Sequence, residues 1–404
     1  MNVLVINCGS SSVKFQLFRM PDEDLLLQGK AEKTKSGGTG FFYRTKTLES
    51  YGDWETFSFS EIFQKILEVL VHPDKGCLSS LDEINVAGHR LIHGGEQGTG
   101  CVEITGDLIA FMESTVSLAP LHYPANLEGI RIMSNLMPGV LQAGVFDTAF
   151  HHTLPAKAFL YGISLEWYRK YHIRRYGFHG TSHKYAALLA IQMAGLPLEY
   201  SRIVTCHLGN GASVAAVKNG KSVDTSMGFT PVEGLLMGTR SGDIDAGVLM
   251  YLQHHLHLTA DDIQEAINLK GGLLGLSGFS SDYRAVEEAA LKGNEAAQTA
   301  IDVYTYRVKK YVGAYSAAMG GLDALVFTGG IGENSKTARE EICRELEFLG
   351  ICLSKELNVT MNGRKAVISE PDSVVKVLIV PANEELMIAR EVAEWAKTKM
   401  EPGF

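Results

Sequence analysis

Three short apolar runs in this chain each stop at a glycine-bearing turn. Residues 3–7 (VLVIN) have the pattern of a short buried strand, 8–12 (CGSSS) that of a turn, and 13–18 that of the returning strand, with Lys14 on one face. A second copy begins at Ile203: a β-branched run stops at His207-Leu208-Gly209-Asn210-Gly211, and residues 213–217 fold back and close through Asn219-Gly220. Asn-Gly between two strand-like runs is a strong hairpin signal. The third run, 324–327, enters Thr328-Gly329-Gly330-Ile331-Gly332-Glu333-Asn334, read as a turn ahead of a helix that Asn334 or Ser335 would cap. Glycine in such turns lets a phosphate approach main-chain N–H groups, and a helix N-terminus behind one is an anion site. Two strand–turn–strand units about 200 residues apart predict a duplicated domain with a cleft between its halves.

Elsewhere, residues 25–28 have strand character and 33–56 the weak alternation of a partly exposed hairpin region. Apolar spacing predicts a helix over 62–71. A strand over 84–92 carries the polar, Gly-Gly-broken stretch 88–96, a placement at which α/β proteins carry function. A helix over 126–136 follows Pro124, and a strand over 140–146 leads into Asp147. In the second half, Thr181 or Ser182 is the expected cap of a helix over 184–193, and further helices are expected at 261–269, 282–291, 295–319, 337–346 and 384–397. Strands are expected at 323–327 and 374–380. Strands and helices alternate throughout, which makes the class α/β.

Composition narrows the partners. The chain has 404 residues, enough for two cores rather than one. A net charge of −9 argues against nucleic acid, so an anionic substrate would have to be drawn in by local arginines. Six cysteines without CxxC spacing read as free thiols of a reducing compartment. No apolar run reaches the ~18 residues of a membrane span, and no signal peptide is expected. GxxxxGK[ST], a full dinucleotide fingerprint, HExxH and GxSxG are all missing. His254-His255-x-His257 reads as a polar helix face rather than a metal site.

The polar residues at turns and strand ends are Asn7, Lys14, Arg90, Asp147, His179, Asn210, Arg240, Asp282, Arg284, Asn334 and Glu384. Taken singly, each has a bland reading; His93 and His183, for example, read as structural. Together, glycine turns, arginines and a few carboxylates or amides describe a phosphoryl-transfer site. The turns would hold a nucleotide, the oxygen ligands a hydrated Mg²⁺, and the arginines the charge on the moving group.

The stretches VLVINCGSSSVKF (3–15), GHRLIHGGE (88–96), FDTAFH (146–151), RRYGFHGTSHKY (174–185), HLGNGASV (207–214), MGTRSGDID (237–245), SSDYR (280–284), FTGGIGENS (327–335) and NEELMIAR (383–390) closely resemble the acetate kinase family. These are the acetate and propionate kinases of the actin-like (sugar kinase/heat-shock protein/actin) superfamily. The resemblance implies duplicated actin-like, ribonuclease H-like domains with an active-site cleft between two lobes. It places the first lobe at 1–150 plus 385–404 and the second at 151–384. It implies direct in-line transfer of the ATP γ-phosphoryl group to acetate, with propionate as the alternative acceptor, in a cytoplasmic homodimer. Asn7 and Glu384 resemble the Mg²⁺ residues (Mn²⁺ being an alternative metal), and Lys14 resembles a phosphate contact. His207, Leu208, Gly209, Asn210, Gly211, Asp282, Tyr283, Arg284, Gly330, Ile331, Gly332, Glu333 and Asn334 match the nucleotide segments. Arg90 matches the carboxylate-binding arginine, Asp147 the active-site acid/base, and His179 and Arg240 the groups that stabilise the transition state. Ile92, Leu121, Phe178 and Pro231 match the acyl pocket. An acetate nucleophile is already ionised, so Asp147 is better read as orienting an arginine or a metal-bound water than as a base. Tyr123 and Ala246 depart from the pattern, at positions without an assigned chemical role. A sugar kinase or a non-catalytic ATP switch of the same superfamily are the rival readings, and the Arg90/Arg240 pair around an apolar pocket suits a carboxylate better.

Overall fold

The structure, a computed structural model, describes residues 1–116 and 123–400. The chain divides into two compact units: Met1–Ala149 together with the segment from Asn383 onward, and Phe150–Ala382.

The first unit is built on an eight-stranded sheet: β1 (Asn2–Gly9), β2 (Ser12–Arg19), β3 (Asp24–Lys33), β4 (Thr39–Thr45), β5 (Glu49–Trp54), β6 (Ile84–Leu91), β7 (Cys101–Glu103) and β8 (Leu141–Phe146), in the order β5-β4-β3-β2-β1-β6-β8-β7. From β5 to β1 the strands are antiparallel; β1, β6 and β8 are parallel. Helix Phe59–Leu70 buries Ile62, Phe63, Ile66 and Leu67 at helical spacing against strand residues such as Leu4, Ile6 and Phe15. The C-terminal helix, Glu384–Met400, packs on β1 and β6. Gly88 makes that approach possible, since a Cβ there would lie 2.9 Å from Val392 Cγ2.

The second unit repeats the central topology. Strands β9 (Arg202–Leu208), β10 (Ala212–Lys218), β11 (Lys221–Thr225), β12 (Ala324–Thr328), β13 (Ala366–Val367) and β14 (Lys376–Ile379) lie in the order β11-β10-β9-β12-β14-β13. The run β11-β10-β9-β12-β14 matches β3-β2-β1-β6-β8: three antiparallel strands, then two parallel additions. The expected α/β class and internal duplication are therefore present. Ile203, Val326 and Leu378 pack on the alanine-rich face of helix Gly180–Ala194.

Several expectations change. Helix Gly180–Ala194 starts before Thr181 and Ser182, which lie inside it; its N-cap is His179, held at φ 55°. The stretch after β12 is a short helix, Gly329–Asn334, rather than a turn, and Ser335 caps the next helix by accepting from the Ala338 amide. Strand β7 and helix Gly106–Ser114 carried no sequence expectation. Among the described residues no helix is long and apolar enough to cross a membrane.

Three buried histidines make a test of the packing. Burial pushes His89 and His151 down to about 4, and holds His183 well below the ordinary range. The unfolded chain binds a proton at each below ~6.5; the folded chain does so only at more acid pH. Stability from these groups is therefore complete above pH ~6.5 and lost as pH falls toward 4. Moving from pH 7 to pH 5 should cost about 2 kcal/mol for each of His89 and His151. Urea unfolding at the two pH values checks this; equal midpoints would contradict neutral burial.

Candidate active site

In the first unit, the parallel strands β1, β6 and β8 deliver polar residues at their C-terminal ends, where α/β sheets place ligands. Asn7 lies near the end of β1, Arg90 near the end of β6, and Asp147 follows β8, fixed by its amide donating to Leu91 O at 2.7 Å. Arg90 donates from Nε to Asp147 Oδ1 at 2.9 Å and from Nη2 to Oδ2 at 2.5 Å, a two-pronged fork. Its Nη1 donates to Asn7 Oδ1 at 3.3 Å, and Glu384 Oε2, from the first turn of the C-terminal helix, lies 3.7 Å from Nε. Burial alone would lower the Arg90 pKa, but Asp147 and Glu384 more than offset it, so the guanidinium is held above its usual range and stays charged. Asp147 is buried, whereas Lys14, opposite Asn7 in the β1–β2 register, is exposed. Asn126 holds the end of β1, donating to Cys8 O at 2.8 Å. Ile92 is buried just past β6. Leu121 lies outside the described residues.

Among the described residues no cluster of three or more His, Cys, Asp or Glu side chains forms a ready-made metal cage. The donors present are an amide oxygen and a carboxylate, Asn7 Oδ1 and Glu384 Oε2, both aimed at the Arg90 guanidinium. Hard oxygens in small number fit Mg²⁺, which keeps most of its waters.

In the second unit the glycine turn between β9 and β10 is the centre. Gly209 donates to Gly211 O, and Gly238 donates to Asn210 O at 2.9 Å. Gly238 packs so closely that a Cβ there would fall 1.9 Å from Asn210 Oδ1 and 2.9 Å from the Ser281 carbonyl. Gly329, at φ 78°, lies against the Leu208 backbone. The segments 207–211, 280–284 and 329–334 thus meet around one turn.

His179 and Arg240 face this turn together: a Cβ on Gly211 would sit 3.5 Å from both Arg240 Nη1 and His179 Nε2. The His179 ring stacks on His207, 4.3 Å between centroids. Half-buried Arg240 reaches only Pro231 O at 3.4 Å and Met237 Sδ at 3.8 Å, and among the described residues no carboxylate pairs with it. Burial accordingly lowers its pKa. A guanidinium partly withdrawn from water without a counter-ion is prepared for an anion.

Five nucleotide-segment residues have side chains engaged within the protein. Tyr283 turns inward and packs on Tyr304. Asp282 caps its helix at the Arg284 amide and pairs with the exposed Arg284 side chain at 3.2 Å. Glu333 accepts from the Ala382 amide at 2.9 Å, and Asn334 donates back to Gly330 O. Phe178 is buried beside His179, and Pro231 is held near Arg240 by the carbonyl contact.

Thr205, Ser213 and Arg339 carry no sequence expectation, and His183 reads as structural. Thr205, His183 and Ser213 form a hydrogen-bonded chain behind His179. The signal for Ser213 was there: a hydroxyl inside the wholly buried run Ala212–Val217 must find a partner. Arg339, fully buried, clamps the short glycine helix by donating to Gly332 O and Glu333 O at 2.8 and 2.9 Å and to Asn358 Oδ1. Burial lowers it to about 10. Nothing in its polar sequence context marks it.

The sequence model of the Acetokinase family matches residues 2–390. The chain is 50% identical to an acetate kinase of Carboxydothermus hydrogenoformans, over 99% of this chain and 100% of that protein. The crystal structure of Porphyromonas gingivalis acetate kinase is 49% identical, with a TM-score of 0.90, covering 97% of this chain and 99% of that one. A propionate kinase structure from Francisella tularensis is 38% identical, with a TM-score of 0.89, over 96% and 98%. With a family match that spans nearly the whole chain and half of its residues shared with curated members, this chain belongs to the acetokinase family.

Proposed function

We propose that the chain is a kinase that transfers the γ-phosphoryl group of ATP to acetate, reversibly, giving acetyl phosphate and ADP. The observation that carries this reading is Arg240: a half-buried guanidinium without a carboxylate partner among the described residues, beside His179 Nε2 at a glycine turn. A carboxylate attacking a polyphosphate is anion meeting anion, and fixed cations must offset the repulsion. The segments 207–211, 282–284 and 330–334 would take the nucleotide, with Lys14 on a phosphate. Arg90 would hold the acetate carboxylate. Three of its five N–H groups are engaged by Asp147 and Asn7, so Asp147 acts by setting the plane of the fork. The nucleophile has no proton to lose at neutral pH, so a base is not required. Arg240 and His179 would stabilise the charge on the moving phosphoryl group. Asn7 and Glu384 would hold Mg²⁺, with Mn²⁺ as a substitute; bound there, the metal neutralises phosphate charge. Exposed apolar side chains of the second unit, among them Trp167, Tyr171, Met250 and Tyr251, support a homodimer, and free cysteines suit the cytoplasm.

The reverse direction gives a clean test. Purified protein with acetyl phosphate, Mg²⁺ and ADP should form ATP, read by luciferase; ATP formation that does not depend on acetyl phosphate would contradict the reading.

Acetate rather than propionate is the expected better acceptor, because buried Ile92 would occupy space that an extra methyl needs. One methylene is worth about 1–3 kcal/mol in such a pocket, roughly 10–200-fold in kcat/KM. Ile92→Ala should shift preference toward propionate, mainly through KM. A wild-type kcat/KM for propionate equal to that for acetate would sink the size argument.

A further inference from the structure

Behind His179 a chain of buried side chains runs through the second unit. Thr205 Oγ1 meets His183 Nδ1 at 2.7 Å, His183 Nε2 meets Ser213 Oγ at 2.8 Å, and Ser213 Oγ meets His179 Nδ1 at 2.8 Å. Thr205, His183 and Ser213 are fully buried. Each contact can in principle run in either direction, since a hydroxyl both donates and accepts and a neutral imidazole carries one N–H.

The direction follows from counting protons. Among the described residues, His183 Nδ1 is the one partner of the Thr205 hydroxyl. If His183 donated to Thr205, the threonine O–H would be left buried without an acceptor, and an unmade buried hydrogen bond costs the desolvation of that group. Thr205 therefore donates to His183 Nδ1. His183 is neutral, because burial holds it well below the ordinary imidazole range, so its single proton is on Nε2 and is donated to Ser213. The Ser213 proton then goes to His179 Nδ1. An imidazole that accepts at Nδ1 is neutral and carries its proton on Nε2. That nitrogen is the one that faces the Gly211 turn beside Arg240.

We infer that Thr205, His183 and Ser213 are positioning residues that fix His179 as a neutral imidazole protonated on Nε2, so that His179 meets the transferring phosphoryl group as a neutral hydrogen-bond donor. The tautomer follows from the hydrogen-bond chain alone; only what the Nε2–H meets rests on the phosphoryl-transfer reading. Protonating His179 would turn its contact with Ser213 round and orphan a buried hydroxyl proton, that of Ser213 or, if the rest of the chain also reverses, that of Thr205. Within this unit the His207 ring stacks on His179 from β9, and the Arg240 guanidinium lies across the turn. Charge on the phosphoryl group is then met by Arg240, and the histidine adds direction without adding a titrating charge.

Imidazole tautomers are read directly from ring ¹⁵N shifts in long-range ¹H–¹⁵N spectra of histidine-labelled protein. His179 is assigned by its disappearance in His179→Gln. The wild-type protein without substrates should show His179 neutral, with the proton on Nε2, from pH 6 to pH 8. Thr205→Val keeps the shape but removes the donor; His179 should then populate other forms, and kcat at pH 8 relative to pH 6 should fall about tenfold while KM for ATP stays put. Thr205→Ser, which keeps the hydroxyl, should restore the wild-type spectrum and pH profile. An imidazolium or an Nδ1–H tautomer in the wild type overturns the inference, as does a Thr205→Val protein with wild-type spectrum and pH profile. Because the spectra need no turnover, a protein that shows the expected tautomer but makes no acetyl phosphate would refute the phosphoryl-transfer reading and leave the hydrogen-bond chain standing.

Discussion

Arg240→Ala should lower kcat by about 10³–10⁵, the range for losing a charge-stabilising arginine in phosphoryl transfer. The argument is electrostatic. Arg240 is half-buried, contacts a carbonyl and a thioether, and has no carboxylate partner among the described residues. Its desolvation is therefore not offset by those contacts, and on the proposed reading the developing charge of the transition state completes it. Arg240→Lys should recover little, because an ammonium lacks the planar fork that can span two phosphoryl oxygens. The fold should survive, since removing a half-buried charge that pairs with no carboxylate among the described residues leaves no partner charge behind. Circular dichroism and thermal unfolding check the fold, and steady-state kinetics check the loss. A lysine variant with near wild-type kcat would remove Arg240 from the role.

Arg90 makes the opposite case, because it is already paired. Arg90→Ala removes the fork proposed for acetate and also takes two charge-assisted hydrogen bonds from Asp147, a carboxylate that is 1% exposed. Both activity and stability should suffer: several orders of magnitude in kcat/KM for acetate, and about 3–5 kcal/mol from breaking a buried ion pair at one partner. Asp147→Asn separates the two effects. It keeps the volume but can no longer accept from both Nε and Nη2, so the guanidinium loses its fixed plane. Acetate kcat/KM should fall at least 100-fold, with KM for ATP within a factor of a few, as expected when orientation rather than binding area is lost. If Asp147 instead worked as a general base, its loss would be relieved at high pH; a pH profile parallel to wild type supports the orienting role.

The elements most legible in the sequence are those where an apolar run meets a sudden polar residue. Asn7, Arg90 and Asp147 each stand at such a break, and the structure places them at the ends of three neighbouring parallel strands. The repeated strand–turn–strand pattern was readable for the same reason, and it marks the β1–β2 and β9–β10 pairs of the two matching sheets. What could not be read depends on contacts made at long range. The helix Gly329–Asn334 looks like a turn because glycine is a poor helix former; packing of Gly329 against Leu208 overrides that preference. The N-cap of helix Gly180–Ala194 is a histidine at positive φ, a conformation that no local pattern announces. Arg339 lies in a stretch that looks solvent-facing, yet it is fully buried because carbonyls of the glycine helix and Asn358 satisfy its donors. Thr205 draws no notice and His183 reads as structural because a single polar residue in an apolar strand or helix usually has only a structural partner. Their meaning lies in the order of the hydrogen bonds, which requires coordinates.

The central claim is that phosphate moves from ATP to a carboxylate, not to water. Trapping with hydroxylamine tests it most directly. Purified protein with Mg-ATP, acetate and hydroxylamine should yield acetohydroxamate in step with ADP, with less hydroxamate from propionate and none when acetate is left out. ADP release that is unaffected by acetate and unaccompanied by hydroxamate would contradict the account.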